Sequence, residues 1–343
     1  INKGFEHNDS AEKYQARLDE ICKLDNVEIV NADAEDEISW EQLILPKLLK
    51  THKVDLLHMP GNRVCLFTRV KQITTTHDLM EWHSLKIFRY YKNRSLKENF
   101  YFFRQKAYLW AVYRLGLSFS DHVLTISQYS KRDITQSFPK LKNKSSYVYH
   151  GIPSGFKPPL NNTSKQGVLM LGGDSHQKNP ENMLKAWAQL PKELQKAHPL
   201  TILGFVGGED SIISKTIRAL GIENDIVLKG WVTEDELIQA MQTSKVFIFA
   251  SREEGFGFPL VQSMASGTPV VTSEADVLIE IGQDAVCSAK AEDFLALSSA
   301  VRSLLTDEKL YNEKVQKGLT ISSKFTWEHT AEHIASTYLT LLK

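Results

Sequence analysis

With 343 residues, of which 42% are hydrophobic and 24% charged, the chain is long enough for two domains with full cores and has the composition of an ordinary globular protein. Its 41 basic and 41 acidic residues cancel, which gives no support to general nucleic-acid binding. Cys22, Cys65 and Cys287 are scattered, with neither a disulfide framework nor a zinc spacing. No apolar run approaches the roughly 20 residues that span a bilayer, and no secretory signal is visible, so a reducing cytosol is the expected compartment.

The chain opens on INKGFEHND, without an initiator Met, and continues into a helix-like AEKYQARLDEICK. The first strand of the first sheet is therefore expected to be absent, either because the chain is an excised piece or because that domain is incomplete. NADAEDEIS, residues 31–39, reads as a solvated loop and helix cap. Strand candidates in the first half are NVEIVNA, VDLLHMP, QITTTHDL, HVLTIS and SYVYHGIP. Between the third and fourth of these lies KIFRYYKNRSLKENFYFFRQKAYLWAVYRL, a basic stretch interleaved with aromatics such as Phe100, Tyr101, Phe103, Tyr108 and Trp110. Two readings fit it: a long core helix with a solvated basic face, or a helix lying in an anionic membrane interface over about residues 86–114.

Residues 149–167, YHGIPSGFKPPLNNTSKQG, read as an interdomain linker, and the Asn162-Thr163-Ser164 match to a glycosylation signal is read as accidental. After it the pattern becomes regular. GVLMLGG, PLTILGFVG, DIVLKGWV, KVFIFAS and TPVV alternate with PENMLKAWAQL, DSIISKTIRALG, TEDELIQAMQ, PLVQSMASG and DVLIEIG. Strand and helix in alternation predict a parallel sheet covered on both faces, with ligand bound outside the carboxyl ends of the strands. The expected domains are 1–156 and 157–325, each doubly wound and Rossmann-like, with a closing helix over 326–343 returning to the first.

The densest chemistry lies in SREEGFGFPLVQSMASGTPVV, residues 251–271. Pro259 suits the first turn of a helix, and Gly267 the position past its end. Gly255 and Gly257 let the backbone approach a ligand at that helix N-terminus, where free N–H groups and the macrodipole favour an anion such as phosphate. A second such place is LGGDSHQKNP, where Lys178 follows a strand and a Gly172-Gly173 turn and precedes a helix begun by Asn179 and Pro180.

EGFGFPLVQSMASGTPVV resembles the signature of retaining glycosyltransferases of the GT-B fold in glycosyltransferase family four. LGGDSHQKNPENMLKAW, VLKGWVTEDEL, TTTHDL, LTISQYSKRDI, VYHGIPSGFKP and FTWEHTAEH match its other segments in order. The resemblance implies two Rossmann-like domains facing across a cleft. It also implies transfer from a nucleotide-diphosphate sugar, UDP- or GDP-linked, to a glycan or lipid-linked acceptor, with neither a cofactor nor a metal. By the same resemblance, retention comes from front-face attack by the acceptor hydroxyl, with the departing phosphate as base. A bacterial surface polysaccharide made at the inner face of the cytoplasmic membrane is the expected setting.

Carried over position by position, the resemblance gives Glu254 the donor sugar's hydroxyls, Lys178 the diphosphate and His77 the sugar's reactive side. Backbone at Gly255, Phe256, Gly257 and Phe258 would meet sugar or phosphate oxygens, and the base would lie near Lys229, Gly230 and Trp231. Asp78 would orient its turn, while His83, His122, His150 and His176 show no metal spacing and read as structural or surface groups. Two positions depart from the family. Gln262 stands where the second acid would hold the ribose, trading charge-assisted bonds for neutral ones at a cost of about 1 kcal/mol. Gly173 stands where an arginine is common, which leaves Lys178 as the main positive charge. No Asp-x-Asp, Gly-x-Gly-x-x-Gly or Walker lysine occurs. The rival readings are an epimerase on the same fold, and a pseudoenzyme that binds a glycan or a partner protein.

Overall fold

The computed structural model describes residues 18–34, 36–85, 96–160 and 164–343, and the side chains of these except 84–85 and 96–102. The opening INKGFEHND, most of AEKYQARLDEICK, residues 86–95 of the basic stretch and the Asn162-Thr163 match lie outside the described residues. By internal contacts the chain divides into two units, Ile1–Lys53 and Val54–Lys343.

In the first unit, Asp36 caps a short helical start, its Oδ1 accepting from the Ser39 N–H at 2.7 Å, and Leu45–Thr51 continues as helix. NVEIVNA, expected as a strand, has no regular structure there, and Val27, Ile29 and Val30 are exposed. An alternating apolar run becomes a strand only where a ladder partner takes its N–H and C=O groups, and this one has none among the described residues.

The second unit holds two wholly parallel sheets. The first pairs β1 (Leu56–Met59), β2 (Lys71–Thr76), β3 (His122–Thr125) and β4 (Ser145–Tyr147) in that order. Its central β2, KQITTT, is buried from its second residue on and carries three successive threonines. Thr74 Oγ1 meets Ser120 Oγ at 2.8 Å and Thr75 Oγ1 meets His58 Nε2 at 2.7 Å, so two of the three hydroxyls are satisfied inside the core, and Thr76 Oγ1 is not.

The second sheet contains β5 (Val168–Leu171), β6 (Leu200–Leu203), β7 (Ile226–Leu228), β8 (Val246–Phe249), β9 (Val270–Ser273) and β10 (Cys287–Ala289). Its spatial order is β10-β9-β8-β5-β6-β7. Every strand but β10 is read from sequence, and β10 escapes because its three residues, CSA, carry no apolar run. Continuous apolar runs such as VFIF of β8, buried at all four residues, fit a parallel sheet covered on both faces. Renumbered from β5, the order is 3-2-1-4-5-6, and the chain reverses its direction of travel between β5 and β8. A crevice at that switch point needs no side chain to create it. It follows from the two crossovers leaving in opposite directions.

The helix Trp327–Leu342 returns to the first sheet, where Ile334, Tyr338 and Leu341 pack on Ile73, Leu124 and Val148. In the basic stretch the helix Leu96–Ala111 places Tyr108 and Leu109 against the core around Val64, Leu79 and Val112. Phe103 and Trp110, at 58% and 50% exposure, face outward. The same helix therefore has a packed side and an unpacked aromatic one. No helix among the described residues is long and apolar enough to cross a membrane.

Candidate functional site

The two loops that leave β5 and β8 at the switch point are stitched together residue by residue. Arg252 N donates to the Gln177 carbonyl at 2.8 Å, and Gln177 Nε2 donates to the Glu253 carbonyl at 2.8 Å. Asn179, fully buried with a left-handed backbone at φ 57°, does not cap the helix Pro180–Ala188 with its side chain. It reaches across instead, its Nδ2 donating to the carbonyls of Ala250 at 2.9 Å and Ala291 at 2.8 Å. Between these braces Lys178 Nζ lies 2.7 Å from Glu254 Oε1, and about 6.0 Å over the Phe249 ring. Glu254 is 11% exposed and Lys178 40%, so the carboxylate sits inside the crevice and the ammonium at its mouth. Two residues 76 positions apart thus converge on one point.

The glycine-rich turn after Glu254 is shaped by contact. Gly257 has φ 91°, a left-handed conformation that a side chain would strain, and it starts the helix Phe258–Ala265. A Cβ on Gly255 would stand 2.9 Å from the His77 carbonyl oxygen, so the second sheet's loop lies against the first sheet's His77-Asp78 turn. Gly255→Ala is expected to force that contact apart at a cost of about 1–3 kcal/mol. Thermal melting and turnover should both fall, and an unchanged Tm would refute the close approach.

His77 follows β2 and is held by its backbone, its N–H donating to Asn62 Oδ1 at 2.7 Å, while Nε2 lies 3.1 Å from the Pro60 carbonyl. Asp78 Oδ1 accepts from Met80 N at 2.9 Å, the turn-orienting role expected of it. Burial raises the Asp78 carboxyl above its ordinary range, and the Met80 bond only partly offsets this.

His150, read from sequence as a structural or surface group, lies beside His77. Its ring lies 5.6 Å from that of His77, stacks on Phe258 at 5.3 Å with a 15° tilt, and packs on Trp327 at 5.4 Å. Burial pushes its imidazole down to about 4, with His77 adding a smaller push in the same direction. The folded state therefore holds His150 neutral. Stability from this form is complete above about pH 6.5 and is lost as the pH falls towards 4, because the unfolded chain takes up a proton that the folded one does not. The loss reaches about 3 kcal/mol at most. His150→Gln should shrink the drop in denaturant midpoint between pH 7 and pH 4.5, and an equal drop in both proteins would remove His150 as its source.

The remaining candidates divide. Gly173 abuts Lys178, whose Cγ would lie 3.0 Å from a Cβ there, so the missing arginine leaves room that the lysine stem occupies. Gln262 is half-buried, and its side chain makes no hydrogen bond among the described residues. Phe256 is buried in an aromatic cluster with Tyr149, Phe258 and Phe325, which leaves only its backbone for a ligand. Trp231, 69% exposed after the edge strand β7, has no ring or hydrogen-bond contact with Lys178 or Glu254. His83 pairs with Asp133 at 2.9 Å, and His122 Nε2 meets Ser146 Oγ at 2.7 Å, as structural groups do. Among the described residues no three His, Cys, Asp or Glu come together as a metal-binding group.

Sequence reasoning missed two features. Thr76 Oγ1, His150 Nδ1 and Ser251 Oγ are buried without a hydrogen-bond partner, and each lies at or beside this site. Ser145 Oγ and His198 Nδ1, away from the site, are in the same state, so it is the grouping of three such atoms here that marks the place. Glu280 is the second, its two carboxylate oxygens accepting from Gln128 N and Tyr129 N at 2.7 Å each across the two sheets' helices. Nothing in the residue types marks it, since a surface glutamate is the commonest of signals.

The family model described as "Glycosyl transferases group 1" matches residues 154–320, and "Glycosyltransferase Family 4" matches residues 12–155. The O-antigen chain mannosyltransferase B of Escherichia coli is 28% identical over 228 residues, 63% of this chain and 60% of that protein. The serotype-specific mannosyltransferase WbdA of Escherichia coli is 31% identical over 220 residues, again 63% of this chain but only 25% of that protein. The matched segment thus spans less than two thirds of either relative. Anabaena Alr3699/HepE, solved with UDP-glucose, superposes with TM-score 0.69 at 18% identity, covering 95% of this chain and 89% of that one, a likeness of fold. Two adjoining family matches over residues 12–320, on two parallel sheets whose switch point carries the Lys178–Glu254 pair, lead to one conclusion: the chain belongs to glycosyltransferase family four, with the GT-B fold.

Proposed function

We propose that this protein is a retaining, metal-independent glycosyltransferase that moves a hexosyl group from a UDP- or GDP-linked sugar to a glycan or lipid-linked acceptor. The observation that carries the reading is the convergence of Lys178 and Glu254 at the switch point, beside the His77 turn of the other sheet. The donor diphosphate takes the Lys178 ammonium and the backbone N–H groups of Gly257 and Phe258 at the start of the Phe258–Ala265 helix. Neutralisation there stabilises the leaving nucleotide as the bond from the anomeric carbon to phosphate oxygen breaks. Glu254, released from the lysine, accepts from sugar hydroxyls and favours the positive charge that develops on the ring. The acceptor oxygen bonds to the same face of the anomeric carbon, and its proton passes to the departing phosphate. His77 borders the reactive side and meets a sugar hydroxyl through its imidazole. Trp231 and its neighbours line the approach for the base, and Gln262 accepts and donates at the ribose.

The mannosyltransferase names of the two relatives support a mannosyl donor and a bacterial O-antigen acceptor. The outward aromatic side of the Leu96–Ala111 helix supports peripheral contact with an anionic membrane on its cytoplasmic side.

Calorimetric titration with UDP, GDP and ADP, with and without EDTA, tests the donor site. Saturable binding of one nucleotide, unchanged by EDTA, is expected, followed by transfer with retained anomeric configuration seen by NMR. Loss of binding in EDTA overturns metal independence. Binding of none of the three overturns the transferase reading and gives the lead to a glycan- or partner-binding protein, to which the Gln262 and Gly173 departures already point.

A further inference from the structure

The segment LTISQYS ends β3 and starts the helix Gln128–Ser137, and its two serines lie between the site-bearing loops of both sheets. Ser127 and Ser130 are 0% and 1% exposed. Ser127 Oγ lies 3.0 Å from the Gly255 carbonyl, and Ser130 Oγ lies 2.8 Å from the His77 carbonyl and 3.4 Å from that of Gly255. Each hydroxyl has one proton to give. The assignment that satisfies both carbonyls has Ser127 donating to Gly255 and Ser130 donating to His77, with Ser127 Oγ accepting from Ser130 N at 3.0 Å as the helix cap. The same helix start is fixed from outside by Glu280, through the N–H groups of Gln128 and Tyr129.

Gly255 follows Glu254 directly, and His77 is the first residue past β2. We propose that Ser130, with Ser127, is a positioning residue that sets the register between Glu254 on the second sheet and His77 on the first. This inference rests on the transferase reading of the site. Capping alone would need only Ser127. Ser130 Oγ gives its proton to the His77 carbonyl and lies 2.9 Å from Ser127 Oγ, so its buried hydroxyl joins the His77 turn to the serine that holds Gly255.

Ser130→Ala keeps the cap and removes the hydroxyl. It is expected to lower kcat by ten- to a hundredfold, with the Kd for the cognate nucleoside diphosphate within twofold of wild type and Tm within a few degrees. Ser127→Ala should lower Tm as well, because it loses the cap. Unchanged kcat in a folded Ser130→Ala protein overturns the proposal, and so does a joint fall of kcat, nucleotide affinity and Tm, which marks a merely structural role. Wild-type titration with UDP, GDP and ADP decides separately whether the transferase reading stands. Should that reading fail, hydrogen exchange still answers. Ser130→Ala must speed amide exchange in both 75–78 and 251–257, and acceleration in neither or only one overturns the proposal.

Discussion

Lys178→Ala is expected to weaken nucleoside diphosphate binding by about ten- to a hundredfold, the loss of charge-assisted bonds worth about 1.5–3 kcal/mol. The effect is large because the neighbourhood offers no ready substitute. Gly173 supplies no charge, and the nearby Arg252 is engaged by Glu292 at 3.1 Å and by the His176 carbonyl. The same substitution leaves Glu254, 11% exposed, without its ion partner, so the variant should also melt lower, by an amount corresponding to roughly 1 kcal/mol or more. Adding Glu254→Gln to Lys178→Ala should restore Tm without restoring binding. Calorimetry and thermal melting on the two proteins separate these roles, and a Lys178→Ala protein that binds as tightly as wild type removes the lysine from the donor site.

Glu254→Gln alone should move binding and turnover in opposite directions. Turnover is expected to fall by about a hundred- to a thousandfold, the scale seen when one preorganised charge partner of a transition state is removed. Nucleoside diphosphate affinity, by contrast, should rise up to about fivefold, because the 2.7 Å ion pair no longer competes for the ammonium and no carboxylate repels the phosphates. Isothermal titration and steady-state kinetics on one preparation check both. A parallel loss of binding and turnover would mean that Glu254 serves only to hold the loop.

Read together, the two variants treat the pair as a competition. The ammonium cannot fully serve carboxylate and diphosphate at once, so donor entry exchanges one anion for another. Crystallographers of a donor complex should find Lys178 turned from Glu254 towards phosphate, and the carboxylate turned towards sugar hydroxyls.

Much of this was legible in the residues. The continuous apolar runs of β5, β6, β8 and β9 and the helices between them dictated a parallel sheet, because a strand covered on both faces admits few polar positions. Gly257 needed a left-handed turn and Pro259 an early helix position, and both are written in the residue types. Lys178 and Glu254 were identifiable one by one from their local loops. Where local pattern misled, the cause was non-local. NVEIVNA has the alternation of a strand but finds no ladder among the described residues, and β10 has a ladder without the alternation.

The residue types thus prescribe most of the element types, the two glycine-shaped loops and the candidates for holding an anion and a sugar. Long-range packing is what brings Lys178 against Glu254, turns Asn179 to brace the loops instead of capping its helix, and sets His150 at the junction beside His77. The same packing sets Ser130 Oγ between carbonyls of two loops, one from each sheet. The physical reason is that propensity and capping act over a few residues, whereas these contacts depend on strand order and on where the crossovers place loops far apart in the chain.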